Sequence, residues 1–353
     1  MTSASLTLRP LSLPELLDQA VRLYRRNFLK FIGILALPLI PATGIQVLGS
    51  LVSLVPLALN PDSARFDSSD PLTLMTSFAA QSTGTILYGL LLQGVATPAL
   101  VRAVADAYFG QSVGILDTYR KIGSAWFQII IVLILAFVLN YVLAFWMLVP
   151  CVGWFTGVGI SWFYSLVVMQ LVTPVIMLEK HVAFQSLRRA WDLARRRFWW
   201  LLGFGLVMGL FVQALSGGPA VLLGAFLLGL FTNLIENGSP ALFFSLQTTA
   251  QTLTTLLISL FYFPMNIIAF TLVYLDLRVR TEGLDLALRA EEALGGSSAV
   301  EVVGNAPGPE RGRLITRREW GYFVILTLGF LLVFALIFLP FFFLVLLPAF
   351  AGF

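Results

Sequence analysis

The sequence predicts an all-α fold: a polytopic transmembrane helical bundle. Six core spans form three repeated hairpins, each led by an interfacial amphipathic helix, and one extra span follows at the C-terminus. Three observations predict this. The 353 residues are 58% hydrophobic and 11% charged, with mean hydropathy +0.90, whereas a soluble domain carries about 25% charged residues. Uncharged apolar runs of bilayer-crossing length, about 20 residues, recur along almost the whole chain. Lys and Arg gather in alternate segments between those runs.

The expected spans are 31–58, 82–105, 126–148, 152–178, 198–215, 249–275 and 321–345. Segment 219–232 is apolar but short, which fits a re-entrant piece, an interfacial piece or a continuation of the fifth helix. Pro38, Pro41 and Pro56 in the first run predict a tilt or kink. With the N-terminus in the cytoplasm, inner segments 1–30, 102–122, 179–197 and 276–318 hold 5, 3, 6 and 7 of the 22 Lys and Arg residues. Only Arg65 falls elsewhere. The outer loop 60–81 carries Asp62, Asp67 and Asp70, and outer segment 216–248 carries only Glu236. An odd number of spans then puts Phe353 outside. The first apolar run follows an amphipathic stretch and is too long for a signal-peptide core, so no cleavable leader is expected.

Three inner segments read as amphipathic helices. In the first, which fills much of 1–30, Ser12 and Glu15 have capping-box spacing with Pro14 in the first turn. Leu13, Leu16, Leu17, Ala20, Tyr24 and Phe28 share one face, opposite Asp18, Arg22, Arg25 and Arg26. The second, 112–122, sets Val113, Leu116 and Tyr119 against Asp117, Arg120 and Lys121. The third sets Phe184, Leu187, Trp191, Ala194 and Phe198 against Arg188, Arg189, Asp192, Arg195, Arg196 and Arg197. There Asp192 has i±4 partners in Arg188 and Arg196.

Thr97-Pro98 precedes the second helix and Thr173-Pro174 the third. Ile115, Tyr119 and Trp126 match Leu187, Trp191 and Phe198 at an offset of 72, and the first helix matches the third at an offset of 170. These correspondences suggest a repeat. The repeats make up a six-span domain over 31–290. A Gly-, Ser- and Pro-rich stretch predicts a flexible cytoplasmic linker over 291–318. The basic cluster Arg311, Arg313, Arg317 and Arg318 then anchors a seventh helix over 319–353, which stands apart from the repeats.

Several function classes are disfavoured. The net charge of +4 and pI near 9.4 come from basic residues beside apolar runs, which suits anionic lipid headgroups rather than nucleic acid. One cysteine, Cys151, and one histidine, His181, leave no disulfide framework and no Cys or His metal cage. Walker, GxGxxG, GxSxG, CxxC and HExxH patterns are missing, so no cofactor and no enzyme activity are expected. Asn237-Gly-Ser239 matches a glycosylation sequon but is too short to be informative.

The candidate contact residues lie at the basic face. Asp276, Arg278, Arg280 and Glu282 form a charged cluster that Gly283 ends. They read either as a headgroup or partner site, with Arg278 and Arg280 on phosphate, or as a helix end held by local ion pairs. Arg188, Arg189, Arg195 and Arg196 read likewise as lipid or partner contacts, or as the structural lead-in to the fifth span. Within spans, Asn140, Gln170, Gln213, Gln251 and Asn266 either line a path or hydrogen-bond between helices. No ionisable group lies clearly inside a span, which disfavours an ion-coupled carrier. Pro98, Pro174 and Pro264, one per even-numbered span, fit either broken helices at a binding site or ordinary membrane prolines. Gly153–Gly157 and Gly205–Gly209 have close-packing spacing.

Three stretches, LSLPELLDQAVRLYRRNF (residues 11–28), TPVIMLEKHVAFQSLRRAWDLARRRFWWLLGF (173–204) and TLVYLDLRVRTEGLDLAL (271–288), together resemble a bacterial family. It is the membrane domain that precedes the catalytic barrel in some glycerophosphoryl diester phosphodiesterases, found also in stand-alone multi-spanning proteins. The resemblance covers about residues 10–290 and implies a bacterial cytoplasmic membrane. This chain has a single histidine and no room for the catalytic barrel, so the phosphodiesterase activity is not implied. The leading expectation is a non-enzymatic scaffold or assembly partner in the envelope. It would engage lipid headgroups, another membrane protein or a second copy through its basic face. The alternative is a lipid or amphiphile transporter, which requires a cavity lined by residues such as Gln170, Gln251 and Asn266. A membrane-embedded phosphodiesterase ranks last.

Overall fold

The computed structural model describes residues 10–52, 82–123, 125–179, 183–236, 240–293, 299–305 and 315–341. These residues are mostly helical, joined by short turns, with no strand among them. The twelve helices described are α1 (Leu13–Arg26), α2 (Phe28–Val52), α3 (Ser82–Tyr108), α4 (Ile115–Ile122), α5 (Ala125–Trp146) and α6 (Val152–Glu179). They continue as α7 (Ala183–Ala194), α8 (Phe198–Glu236), α9 (Pro240–Glu282), α10 (Leu284–Ala293), α11 (Ala299–Asn305) and α12 (Arg317–Phe341). Seven are long and apolar enough to cross a bilayer: α2, α3, α5, α6, α8, α9 and α12. The protein is an all-α polytopic bundle. The acidic outer loop and the sequon lie outside the described residues.

Segment 219–232 is a continuation of the fifth spanning helix. α8 runs unbroken through Pro219 for 39 residues, and α9 runs for 43. At 1.5 Å per residue these rods are about 58 and 64 Å long, twice the hydrocarbon thickness, so parts of each must tilt or project from it.

The even-numbered spans α3, α6 and α9 supply most of the buried core. Their prolines each remove one backbone N–H from the helix, and side-chain hydroxyls bond carbonyls near Pro98 and Pro264. Above Pro98 the helix widens into a π turn over Leu92–Ala96, and the Thr97 hydroxyl donates to the Leu92 carbonyl at 2.8 Å. In α2, Pro38 removes the N–H that would reach the Ile34 carbonyl, and the Tyr119 hydroxyl of α4 donates there instead. The Tyr24 hydroxyl of α1 donates to Phe261, three residues before Pro264, at 2.8 Å. Burial pushes both tyrosine pKa values upward, which keeps the hydroxyls protonated as donors.

The amphipathic helices place their apolar faces on protein. α1 starts on the capping box, in which the Ser12 N–H and hydroxyl donate to Glu15. It then lies along α9, with Leu11 at Asp276 and Tyr24 at Phe261. Leu16 and Ala20 are fully buried while Asp18 and Arg22 are exposed. Ala190, Leu193 and Ala194 of α7 are buried against α6 in the same way. These residues face protein, whereas Phe184 of α7 and Leu116 of α4, also on apolar faces, stay exposed.

Two expectations need correction. The seventh helix is no appendage: Phe323 of α12 is fully buried against Phe163, Trp191 and Phe198. A Cβ at Gly159 of α6 would sit 2.3 Å from the Phe323 carbonyl, so only glycine permits this approach. The Gly159 N–H donates to the Thr327 hydroxyl at 2.9 Å. Residues 299–305, read as flexible linker, form α11 with Val300 and Val303 buried. A short run of valines finds a packed surface that Gly/Ser/Pro composition does not reveal.

Candidate functional site

The charged residues assigned to the basic face converge on the ends of α6 and α9. Arg278 of α9 is fully buried. Its Nε donates to Glu282 at 2.8 Å, and its Nη1 donates to the Tyr274 hydroxyl at 3.3 Å and to the Val303 carbonyl of α11. The same Nη1 lies 3.6 Å from Glu179 at the end of α6. Arg189 of α7 completes the cluster, with Nε 2.8 Å from Glu179 and Nη2 2.7 Å from Glu282. The Tyr274 hydroxyl donates to Glu179 at 2.7 Å. Two carboxylates and two guanidiniums thus balance one another away from water, joined by charge-assisted hydrogen bonds.

Beside this cluster, Asp276 accepts from the Leu11 N–H and from Arg280 Nε, each at 2.8 Å, with Arg197 at 4.0 Å. Arg280 also donates to the Leu11 carbonyl. Asp106, at the end of α3, is buried beside Lys121 of α4 at 2.6 Å and Arg102 at 3.2 Å. Near the end of each even-numbered span, therefore, an acid holds an amphipathic helix or the residues leading into it: Asp276 at Leu11 before α1, Asp106 at Lys121 of α4 and Glu179 at Arg189 of α7. The two expected partners of Asp192 become Arg188 at 3.8 Å and Arg195 at 2.9 Å. Arg195 approaches Glu319 of α12 at 3.9 Å, while Arg196 donates to the Thr281 carbonyl instead.

This arrangement corrects the reading of Arg278 and Arg189 as headgroup contacts. Their guanidiniums face carboxylates inside the fold, because a buried cation must be paired or it destabilises the structure. The local ion-pair reading of the Asp276–Glu282 cluster is the one the geometry matches. Arg188, Arg195 and Arg280 are also engaged in ion pairs, and Arg196 is exposed.

Further along α9 the character changes. A cavity of about 260 Å³ lies between α3, α5, α6 and α9. Thr97, Thr173 and Thr271, one from each even-numbered span, line it with Gln93, Gln170 and Pro174. A second cavity of about 510 Å³ lies between α3, α8 and α9, lined by Tyr88, Ser216, Gln251, Ser259, Tyr262 and Asn266 among others. Phe263 lines both, directly before Pro264. Volumes of this order are those of small-molecule sites. Of the five polar span residues singled out, Gln170, Gln251 and Asn266 line these cavities, whereas Asn140 and Gln213 are exposed on the bundle surface.

The residues that sequence reasoning missed are Tyr88, Ser259, Tyr262, Phe263 and Thr271. A signal was present: Gln251, Thr255, Ser259, Tyr262 and Asn266 recur at spacings of three and four on one face of an otherwise apolar span. Comparisons with family models, with curated proteins and with solved structures found no match. Among the described residues, no group of three or more His, Cys, Asp or Glu side chains converges as a metal site would.

Proposed function

We propose that this chain is a non-enzymatic membrane carrier that binds a lipid or other amphiphile inside its bundle and passes it along α9. The observation that supports this most is the pair of polar-lined cavities that share Phe263 as a wall. The polar part of an amphiphile occupies the lined chambers while its chains remain among the apolar helices. Phe263, at the flexible point beside Pro264, is the barrier that must move for passage. In this reading the membrane is the bacterial cytoplasmic membrane, with the N-terminus inside and the C-terminus outside, as Lys and Arg placement supports.

A scaffold working through the basic face is the weaker reading, because Arg189 and Arg278 are occupied within the protein. It would have to act through exposed side chains such as Arg22 and Arg120. Kinship with the phosphodiesterase membrane domain remains part of the proposal. The stretches that carry the resemblance are those that meet at Leu11–Asp276 and Glu179–Arg189–Glu282.

The test is transbilayer movement of fluorescent lipid analogues in proteoliposomes, read by dithionite quenching. The purified chain should accelerate loss of inner-leaflet fluorescence over protein-free vesicles, and Phe263→Ala should raise the rate several-fold further. Equal rates with and without protein, across lipid analogues of differing head group, would count against a carrier.

A further inference from the structure

Two of the amphipathic helices are fastened to even-numbered spans in the same way. α1 meets α9 at both of its ends. Just before its first turn, the Leu11 N–H donates to Asp276 at 2.8 Å, and Arg280 donates to the Leu11 carbonyl. At its far end, the Tyr24 hydroxyl donates to the Phe261 carbonyl at 2.8 Å. The ring of Phe28, the first residue of α2, lies 6.0 Å from the Phe261 ring. Leu16 and Ala20, between these attachments, are fully buried. α7 meets α6 likewise. Its Arg189 holds Glu179 at the end of the span, while Trp191 packs edge-on against Phe163 and Phe198 stacks on Phe163 with ring centres 4.1 Å apart.

In both pairs an irregular point of the span lies between the two attachments. In α9 it is Pro264, which removes one backbone N–H and crowds the turn before it. In α6 it is the π turn Tyr164–Val168, directly after Phe163. Helices bend most readily at such points. A second rod fixed on both sides of one acts as a splint, because the span bends there only when an attachment breaks. The attachments of α1 differ in strength. Both bonds at Leu11 have a charged partner, which strengthens them. Tyr24 offers one neutral hydrogen bond, so this end yields first.

Resting on the carrier reading above, we infer that α1 is a splint across Pro264 and that Tyr24 is a positioning residue, whose bond to Phe261 keeps the nearby Phe263 in place as the wall between the two cavities. Release of Tyr24 lets α9 bend at Pro264 and carries Phe263 aside.

The test is amide hydrogen exchange of the chain in lipid nanodiscs, parent against Tyr24→Phe, which keeps the ring and deletes the bond. Exchange across residues 258–268 should quicken about twofold to tenfold, the value of one neutral hydrogen bond, while Tyr274–Glu282 stays as in the parent. In a Pro264→Ala background, where the backbone N–H is restored, Tyr24→Phe should change little. A general loss of stability would instead quicken exchange throughout and in both backgrounds. Lipid movement in proteoliposomes should rise with the exchange rate. A second variant does not depend on Tyr24: in a Cys151→Ser background, Phe28→Cys and Phe261→Cys are joined by a short bismaleimide. The cross-link should slow both exchange across 258–268 and lipid movement. Unchanged exchange around Pro264 in Tyr24→Phe, the same rise in the Pro264→Ala background, or lipid movement untouched by the cross-link would overturn the splint while leaving the carrier intact. The expected exchange changes in a chain that moves no lipid would uphold the splint and sink the carrier.

Discussion

Two parts of the same helix behave in opposite ways. From Tyr274 to Glu282, α9 is surrounded by charge, and the buried charged groups there find opposite partners from α6, α7 or the N-terminal segment. From Gln251 to Asn266 its polar groups are all neutral, several of them line a cavity, and the buried Tyr262 hydroxyl is unmatched among the described residues. The ionic end pairs charge with charge between helices; the neutral stripe borders a cavity. In a membrane protein, strong charges draw attention first. Here they pair with one another between helices, and the carrier proposal gives recognition to the weaker polar groups.

The largest effect should come from breaking the ionic end. Arg278→Met takes from Glu179 and Glu282 one of the two guanidiniums described beside them, and removing one partner of a buried network costs about 3–5 kcal/mol. Chemical or thermal unfolding in detergent should show this as a loss of folded protein, whereas Tyr262→Phe at the neutral stripe should leave unfolding unchanged. If Arg278→Met unfolds like the parent, the charged cluster is not a clamp and the contrast fails.

A smaller effect sharpens the role of the amphipathic helices. Tyr119→Phe leaves the Ile34 carbonyl without the donor that replaces the N–H lost to Pro38. Stability should fall by about 1–3 kcal/mol. The loss should largely vanish when Pro38 is also replaced by Ala, which restores a backbone N–H. A double-mutant cycle checks this, and additive losses would show that tyrosine and proline act independently.

The bundle was readable from apolar runs because a bilayer demands a stereotyped length of uncharged helix. The amphipathic helices and the Ser12–Glu15 cap were readable for a similar reason: both are local, set by spacings of three and four. What Arg278 and Arg189 do was not readable, since a basic residue beside a span looks the same whether it faces lipid or a carboxylate brought from 93 residues away, as Glu282 is to Arg189. α11 and the burial of Phe323 escaped notice because both depend on surfaces supplied by α6. The cavities were half legible. Gln170, Gln251 and Asn266 stood out as polar groups among apolar ones, but the tyrosines and threonines beside them are ordinary residues in membrane helices. Only packing distinguishes those that line a space.

The most direct test of the carrier account is native mass spectrometry of the chain released from lipid nanodiscs, parent against Ser259→Trp. The indole would fill the larger cavity without touching the ionic end. The account predicts that the parent retains a bound amphiphile of defined mass and that Ser259→Trp is folded but loses it. Retention of the same species by Ser259→Trp, or a folded parent that carries none, would contradict it.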